Sequence, residues 1–261
     1  MVLNWHMHTV VVTGPSGHLG SAITGHLLST YNVIGISRNA SGVSFNSCSC
    51  SQGSGVFVPV NSDLSKSDPL ELVGTIKRHA DGLNSELCGL VNNAFTDYPA
   101  KALSVDTETV QACAESFLGI HVRLSLAVAE ALKACDGGSI VNVASMYGKV
   151  SPKPDLYDSF DAVNPILYGA FKSGLIQSSR YLSSILAPCG IRVNSVSYGP
   201  FPSCSVQRAN PEFVKRLAAQ THLRRVAKPC EAAGIIAFLL SGQSSYVTGA
   251  DIPVDGGWTA W

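Results

Sequence analysis

The sequence carries no excess charge of either sign, because 18 lysine and arginine residues are balanced by 18 aspartate and glutamate residues. A nucleic-acid-binding domain usually concentrates basic residues on one face, so no nucleic-acid partner is expected. Charged residues make up only 14% of the chain and hydrophobic residues 46%, a composition that excludes a disordered chain. The 261 residues are therefore expected to bury a large core.

Long hydrophobic runs and metal-binding cysteine patterns are also missing. No uninterrupted apolar stretch approaches the roughly 20 residues that span a bilayer. The N-terminus (MVLNWHMHTVVVTG) lacks the charged region and apolar core of a signal peptide. The eight cysteines include no CxxC pair and no Cys/His cluster with zinc spacing. We therefore expect no membrane association, no metal site, reduced thiols and a cytoplasmic location.

Short β-branched runs alternate with longer amphipathic stretches along the chain, a pattern that predicts a doubly wound parallel sheet with helices on both faces. One Rossmann-type domain of about seven strands is expected over residues 1–261. The predicted strands are 9–13, 33–37, 56–60, 89–92, 139–144, 192–197 and 251–254. The predicted helices are 19–29, 69–79, 107–134, 165–186 (with Asn164 as N-cap) and 230–240.

Three segments are predicted to be loops. The Ser/Gly/Cys-rich stretch 39–55 is interpreted as a surface loop after the second strand. Segments 146–163 and 199–221 are longer than ordinary connections, and both follow strand ends, where open α/β sheets bind ligands. These two are predicted to form a mobile substrate lid.

A glycine-rich turn (TGPSGHLG, starting at Thr13) joins the first predicted strand to the first predicted helix. Glycines there permit a tight turn and close approach of the backbone to a phosphate, and the helix N-terminus presents free N–H groups to it. The alternative is a glycine-rich turn without a ligand. The residues predicted to hold a dinucleotide are Gly14, Ser16, Gly17, His18, Leu19 and Gly20.

The residues after the second strand favour NADP(H) over NAD(H) as the cofactor. NAD-selective sites place a carboxylate there for the ribose hydroxyls, whereas a 2′-phosphate calls for a cation. The sequence has Arg38 at this point and no acid from Ile36 to Gly55. A guanidinium suits a phosphate well. NADP(H) is therefore the predicted cofactor, the alternative being that Arg38 is an ordinary surface charge.

Tyr168 alone among the eight tyrosines has a lysine, Lys172, four positions later. Residues i and i+4 of a helix share one face, so the ammonium can stabilise a tyrosinate and bring its pKa toward neutrality. A tyrosine and a lysine at this spacing also occur together by chance, and the two side chains would then only pack on the protein surface. Its place on a helix that follows the fifth predicted strand favours acid/base catalysis.

The chain resembles the short-chain dehydrogenase/reductase family over nearly its whole length. The similarity rests on the glycine turn, the Tyr168/Lys172 pair and five further motifs. These are Asp63-Leu64 after the third strand, Asn92-Asn93-Ala94 at the end of the fourth, SIVNVAS ending at Ser145, RVNSVSYGP from Arg192, and YVTGADIPVDGG from Tyr246.

The resemblance implies roles for individual residues and a reaction. Tyr168 would exchange a proton with the oxygen of a small carbonyl or alcohol substrate. Lys172 would hold the nicotinamide ribose and lower the tyrosine pKa, Ser145 would hydrogen-bond the substrate oxygen, and Ser116 would replace a fourth catalytic residue, an asparagine. The family also implies pairing of the two long helices into a homodimer or homotetramer. Further cofactor contacts are implied for Asp63, Leu64, Asn92, Ala94, Gly199 and Ser203.

Several departures from the family pattern keep other functions open. His18 takes the usual middle-glycine position, a spacing that resembles the branch that modifies sugar nucleotides. Phe95 and Tyr198 replace a glycine and a proline, and segment 146–163 is about ten residues longer than usual; its SMYG opening resembles oxidoreductases of bacterial surface-glycan and nonulosonic-acid pathways. Besides a working dehydrogenase or reductase, we therefore consider a sugar-modifying epimerase or dehydratase and a cofactor-binding scaffold with eroded catalysis. The predicted pocket walls suit a ring or a chain equally: Tyr147, Tyr157, Phe201 and Trp258.

Overall fold

Seven parallel strands form one sheet in the order β3-β2-β1-β4-β5-β6-β7, as a computed structural model shows. The structure describes residues 7–43, 53–95, 101–103 and 105–261. The predicted fold class is confirmed, and every predicted strand is present with bounds that differ by at most two residues. The strands are β1 (Thr9–Thr13), β2 (Asn32–Ser37), β3 (Phe57–Asn61), β4 (Leu87–Asn92), β5 (Gly138–Ser145), β6 (Ile191–Tyr198) and β7 (Asp251–Val254).

Helices cover both faces of the sheet, which explains why its central strands are apolar on both sides. Val11 of β1 belongs to a cluster on one face, whereas its neighbours Val10 and Val12 belong to a cluster on the other. The helices are α1 (His18–Leu27), α2 (Pro69–Gly82), α3 (Thr107–Ala114), α4 (Ile120–Lys133), α5 (Ile166–Leu186), α6 (Cys204–Ala209), α7 (Pro211–Gln220) and α8 (Ala233–Leu240).

The helix predicted over 107–134 is interrupted by one π-helical turn, Glu115–Gly119, which joins α3 to α4. The stretch Thr107–Lys133 is long and apolar enough to cross a membrane by length and composition, since its most apolar window of 18 residues has a mean hydropathy of 1.3. Half of that window is buried inside the protein. Leu124, Val128 and Leu132 of α4 pack in the core beneath the sheet. The helix therefore serves as a core helix in this fold.

The predicted start of α5 is one residue too early. Asn164 does not cap the helix: Pro165 has the extended ψ of 142°, and the helix begins at Ile166. The Ile166 N–H is satisfied instead by the carbonyl of Ala102, 3.0 Å away. A carbonyl from a distant segment thus accepts the hydrogen bond that the sequence pattern had assigned to the Asn164 side chain. Local sequence preferences do not reveal such a long-range partner.

The remaining corrections concern segments predicted as irregular. Segment 199–221 contains α6 and α7, and the first turn of the last predicted helix, Pro229–Ala232, is a 3-10 turn. Segment 146–163 contains three short 3-10 turns. Residues 44–52 of the predicted surface loop 39–55 lie outside the described residues.

The two predicted lid segments pack on each other. Met146 and Leu156 from the first, Leu217 from α7 and Trp258 near the C-terminus form a small separate core. Arg216 of α7 donates to the carbonyl of Leu156 at 2.7 Å, and Asn210 donates to Asp158. The two segments are therefore held together by both apolar and polar contacts.

Candidate active site

A cavity of about 720 Å³ opens at the carboxyl ends of the strands and has the size of a cofactor site. Its walls come from the glycine turn, the ends of β2, β3 and β4, the π-helical turn and the start of α5. Most of the residues predicted to bind cofactor or substrate line it: Gly14, Ser16, Gly17, His18, Leu19, Gly20, Arg38, Asp63, Leu64, Ala94, Ser116, Tyr168 and Lys172.

The glycine turn is shaped by contacts that leave no room for side chains. Gly14 has a φ of +66°, and a Cβ there would lie 2.9 Å from the Cα of Ala94. A Cβ at Gly20 would lie only 1.9 Å from the Gly14 carbonyl oxygen, so both positions require glycine. The turn leads directly into α1, whose first three residues line the cavity and have no side-chain cap at their N-terminal end. This cradle fits a dinucleotide pyrophosphate.

Asn93 and Thr13 hold the turn in place. The Asn93 side chain donates to the carbonyls of Thr13 and Gly14, at 3.0 and 3.1 Å. The Thr13 hydroxyl accepts from the backbone N–H groups of Asn93 and Ala94, at 2.9 and 2.8 Å. Neither side chain was singled out from the sequence, although Asn93 stands within the Asn92-Asn93-Ala94 motif.

His18 lines the cavity at the first position of α1. Burial lowers the pKa of its imidazole, and a hydrogen bond to the Phe201 carbonyl opposes that effect. The ring therefore links the glycine turn to the segment after β6. A glycine here would remove this link, which gives the departure at His18 a structural role.

Arg38 and Asp63 lie together at the far end of the cavity. Arg38 is exposed at the end of β2, and its guanidinium has no ion-pair partner among the described residues. The Ser65 hydroxyl, ahead of the charges of Lys66 and Arg38, holds the pKa of Asp63 below its ordinary value. Asp63 is thus an ionised carboxylate that accepts from Ser65 at 2.7 Å, while Arg38 remains available to an anion.

Two glycines bring Ser145 next to Tyr168. The turn Met146–Gly148 after β5 packs on α5, where a Cβ at Gly148 would lie 2.9 Å from the backbone of Lys172. A Cβ at Gly169 would lie 2.7 Å from the Tyr147 carbonyl oxygen. This close approach brings the Ser145 hydroxyl near enough to Tyr168 to lower the pKa of the tyrosine. Ser145 itself is buried and does not line the cavity, whereas Tyr168 and Lys172 do.

The protonation of Tyr168 and Lys172 is controlled first by burial. Burial raises the pKa of Tyr168 above its ordinary value, and the Ser145 hydroxyl lowers it in part. Burial lowers the pKa of Lys172 to about 8. The Lys172 Nζ lies 5.9 Å from the centre of the Tyr168 ring and donates to the Val143 carbonyl at 2.7 Å. At neutral pH the tyrosine is thus protonated and lies beside an ammonium.

Phe95 and Phe117 surround the Tyr168 ring. The two phenylalanine rings are stacked with 5.2 Å between centroids, and both meet the tyrosine ring edge-on at 5.9 and 5.6 Å. Phe117 belongs to the π-helical turn, next to Ser116. This aromatic cluster was not predicted, because only the fold brings the end of β4, the π turn and α5 together.

Three further predicted site residues lie outside the cavity. Asn92 is buried, and its amide donates to Ser125 and Asn142, both at 2.8 Å. Ser203 caps α6 through the Val206 N–H. The backbone of Gly199 lies against Asp255, where a Cβ would be 2.5 Å from the Asp255 Cα. The structure does not bring these three to the cavity.

Tyr198, the residue in place of the family's proline, is also occupied structurally. It is buried at the end of β6, and its hydroxyl donates to the Ala232 carbonyl. Its ring packs edge-on against Phe201 with 5.2 Å between centroids. This departure therefore stabilises the connection to α8 rather than the reacting centre.

Comparisons with known proteins agree with this arrangement. A family model described as enoyl-(acyl carrier protein) reductase matches residues 52–259. The uncharacterized oxidoreductase YmfI of Bacillus subtilis is 28% identical over 254 residues, which cover 96% of this chain and 98% of that protein. The NADH-dependent L-xylulose reductase of Ambrosiozyma monospora is 31% identical over 218 residues, which cover 79% of this chain and 68% of that protein.

A solved structure shows the same fold over nearly the whole chain. The short chain dehydrogenase of Leptospira borgpetersenii with bound NAD+ has a TM-score of 0.77 and 26% identity, covering 97% of this chain and 92% of that one. The family model spans most of the sequence, and a relative of similar length matches nearly all of it. The chain therefore belongs to the short-chain dehydrogenase/reductase family of oxidoreductases.

Proposed function

We propose that this protein transfers hydride between NADP(H) and a carbonyl/alcohol pair, with Tyr168 as the general acid/base. The observation that carries the proposal is that Tyr168 and Lys172 line one end of a dinucleotide-sized cavity, with the buried Ser145 hydroxyl next to Tyr168. A positioned acid/base within reach of the substrate oxygen is what carbonyl reduction requires.

The cavity suits a dinucleotide along its length. The side-chain-free cradle at Gly14 and Gly20 would receive the pyrophosphate, and Lys172 would contact the nicotinamide ribose. A bound nicotinamide supplies or accepts the hydride. Preference for NADP(H) rests on Arg38, although the L-xylulose reductase relative is named NADH-dependent.

The proton chemistry follows from burial. Because burial keeps Tyr168 protonated at neutral pH, its hydroxyl can donate to the substrate oxygen during reduction. Ser145 would hydrogen-bond the same oxygen and stabilise the negative charge that develops there. Lys172 would favour the resulting tyrosinate by its charge, a tuning that stays a prediction.

A second candidate is a sugar-modifying epimerase or dehydratase that oxidises its substrate only transiently. The glycine spacing around His18 favours it. Such an enzyme regenerates its cofactor in every turnover, so nucleotide absorbance would not change with substrate. A dehydrogenase instead consumes one nucleotide for each substrate molecule.

The substitution Tyr168→Phe tests the main proposal. It keeps the edge-on contacts of the ring with Phe95 and Phe117 and removes only the hydroxyl, so fold and nucleotide binding should survive. A general acid/base step is typically worth about 10²–10⁴-fold, so kcat should fall by at least about 100-fold. Near-normal kcat with unchanged pH dependence would refute the role of Tyr168.

A further inference from the structure

Tyr147 and Tyr157 form a hydroxyl pair beside the reacting groups, with 2.8 Å between their oxygens. Both belong to the long segment between β5 and α5, and both are half-buried. Tyr147 follows Ser145 by two positions, and its backbone N–H donates to the Ser145 hydroxyl at 3.2 Å. Its carbonyl rests against Gly169, the residue after Tyr168. The pair is therefore fixed relative to the two groups that would hold the substrate oxygen.

The pair is also supported from behind. The Tyr147 ring meets Trp258 edge-on at 6.5 Å between centroids, and the Tyr157 ring packs against Phe213 of α7 at 5.4 Å. Neither tyrosine lines the cofactor-sized cavity. Burial raises the pKa of Tyr168, the Ser145 hydroxyl lowers it, and the nearby Tyr157 raises it further. The pair thus adjoins the reacting tyrosine without competing for the dinucleotide site.

The hydrogen bonds of the pair leave one proton to donate. Two phenol groups carry two O–H donors, and the bond between them uses one. Among the residues that the structure describes, neither hydroxyl has a further acceptor. A half-buried donor of this kind selects a ligand that offers an oxygen.

We propose that the Tyr147–Tyr157 pair binds a second oxygen of the substrate, beside the one that reacts. This rests on the proposed function, and it assigns the substrate class: polyols and hydroxy ketones rather than hydrocarbon alcohols and ketones. A substrate without the second oxygen leaves a hydroxyl without a partner, which weakens its binding.

The test compares xylitol, which carries neighbouring hydroxyls, with cyclopentanol, which has only the reacting one. Tyr157→Phe should lower kcat/KM for xylitol about tenfold through KM, the effect of losing one neutral hydrogen bond. Cyclopentanol oxidation should change less than twofold, and Tyr147→Phe should repeat the pattern. Tyr246→Phe is the matched control, because Tyr246 is fully exposed.

A binding measurement keeps this inference separate from the proposed function. Calorimetry of xylitol with NADP+-loaded Tyr168→Phe protein needs no turnover. Adding Tyr157→Phe should weaken this binding about tenfold, and adding Tyr246→Phe should leave it unchanged. The inference is overturned if xylitol does not bind, if Tyr157→Phe has no effect, or if both substrates suffer equally. Normal xylitol binding without hydride transfer by the wild-type protein would overturn the proposed function alone.

Discussion

The Lys172 ammonium donates a 2.7 Å hydrogen bond to the Val143 carbonyl from a side chain that is almost completely buried. Val143 stands two residues before Ser145 on β5, so one strand orients both groups. Burying an ammonium costs free energy, and one carbonyl acceptor compensates only in part. An apolar side chain at position 172 would therefore make the folded protein more stable than the lysine that is proposed to assist catalysis.

Lys172→Met is expected to stabilise the protein while impairing it as an enzyme. The pKa of Lys172 is about 8 in the folded protein and 10.5 ordinarily, a difference worth roughly 3 kcal/mol of unfolding free energy at pH 7. Between these values the unfolded chain binds more protons, so wild-type stability should rise with pH. The advantage of the variant should be largest below pH 8 and vanish near 10.5.

Denaturant titrations of both proteins from pH 6 to 11 measure this difference. The control is Lys77→Met, which removes an exposed lysine from α2 and should leave the pH dependence unchanged. A variant that is less stable than the wild type at pH 7, or whose advantage does not change with pH, would contradict the burial argument. Activity should fall in Lys172→Met and not in Lys77→Met.

Cofactor preference is predicted to depend on Arg38. Replacing its guanidinium with a carboxylate in Arg38→Asp should repel the 2′-phosphate and leave the NADH-binding parts of the cavity intact. The Kd for NADPH should rise at least about tenfold more than that for NADH, because a charge-assisted hydrogen bond is lost. Arg78→Asp, the control, makes the same charge change at an exposed position of α2. Wild-type protein that binds NADH as tightly as NADPH would disprove the preference.

A homodimer or homotetramer is predicted from the two long helices. Four large apolar residues on α4 and α5 are exposed and could contribute to such an interface: Leu126, Ile166, Tyr181 and Ile185. Ile185→Asp should bury a charge in such an interface and shift the protein toward monomer in light scattering at micromolar concentration. Leu70→Asp, on α2, is the control. A wild-type protein that is already monomeric would refute the prediction.

The two lid segments are predicted to respond to ligands together. Since 146–163 and 199–221 share a small core and the contacts of Arg216, closure over a substrate should slow amide exchange in both. Hydrogen exchange with NADP+ and xylitol, against the free protein, measures this. Helix α8 lies in the main core and should not respond. Unchanged exchange in both segments would remove the lid from the mechanism.

The sequence by itself determined the sheet and its cofactor turn. Strands such as β1 are apolar on both faces because helices must cover both, and that pattern identifies them without any partner. Gly14 and Gly20 identify the turn in the sequence, because any other side chain at these positions would clash with nearby backbone atoms. Tyr168 and Lys172 meet by helical spacing alone. In each case the information lies within one short stretch of chain.

Only the tertiary structure decided the surroundings of the reacting groups. The Ala102 carbonyl, not Asn164, satisfies the start of α5. The π-helical turn places the Phe117 ring against Tyr168. The Asn92 amide points into the core, whereas the Asn93 amide holds the glycine turn. The Tyr147 hydroxyl forms a hydrogen bond with that of Tyr157, ten residues later. These contacts join residues at least ten positions apart in the sequence, and their free energies depend on burial and geometry that no local pattern encodes.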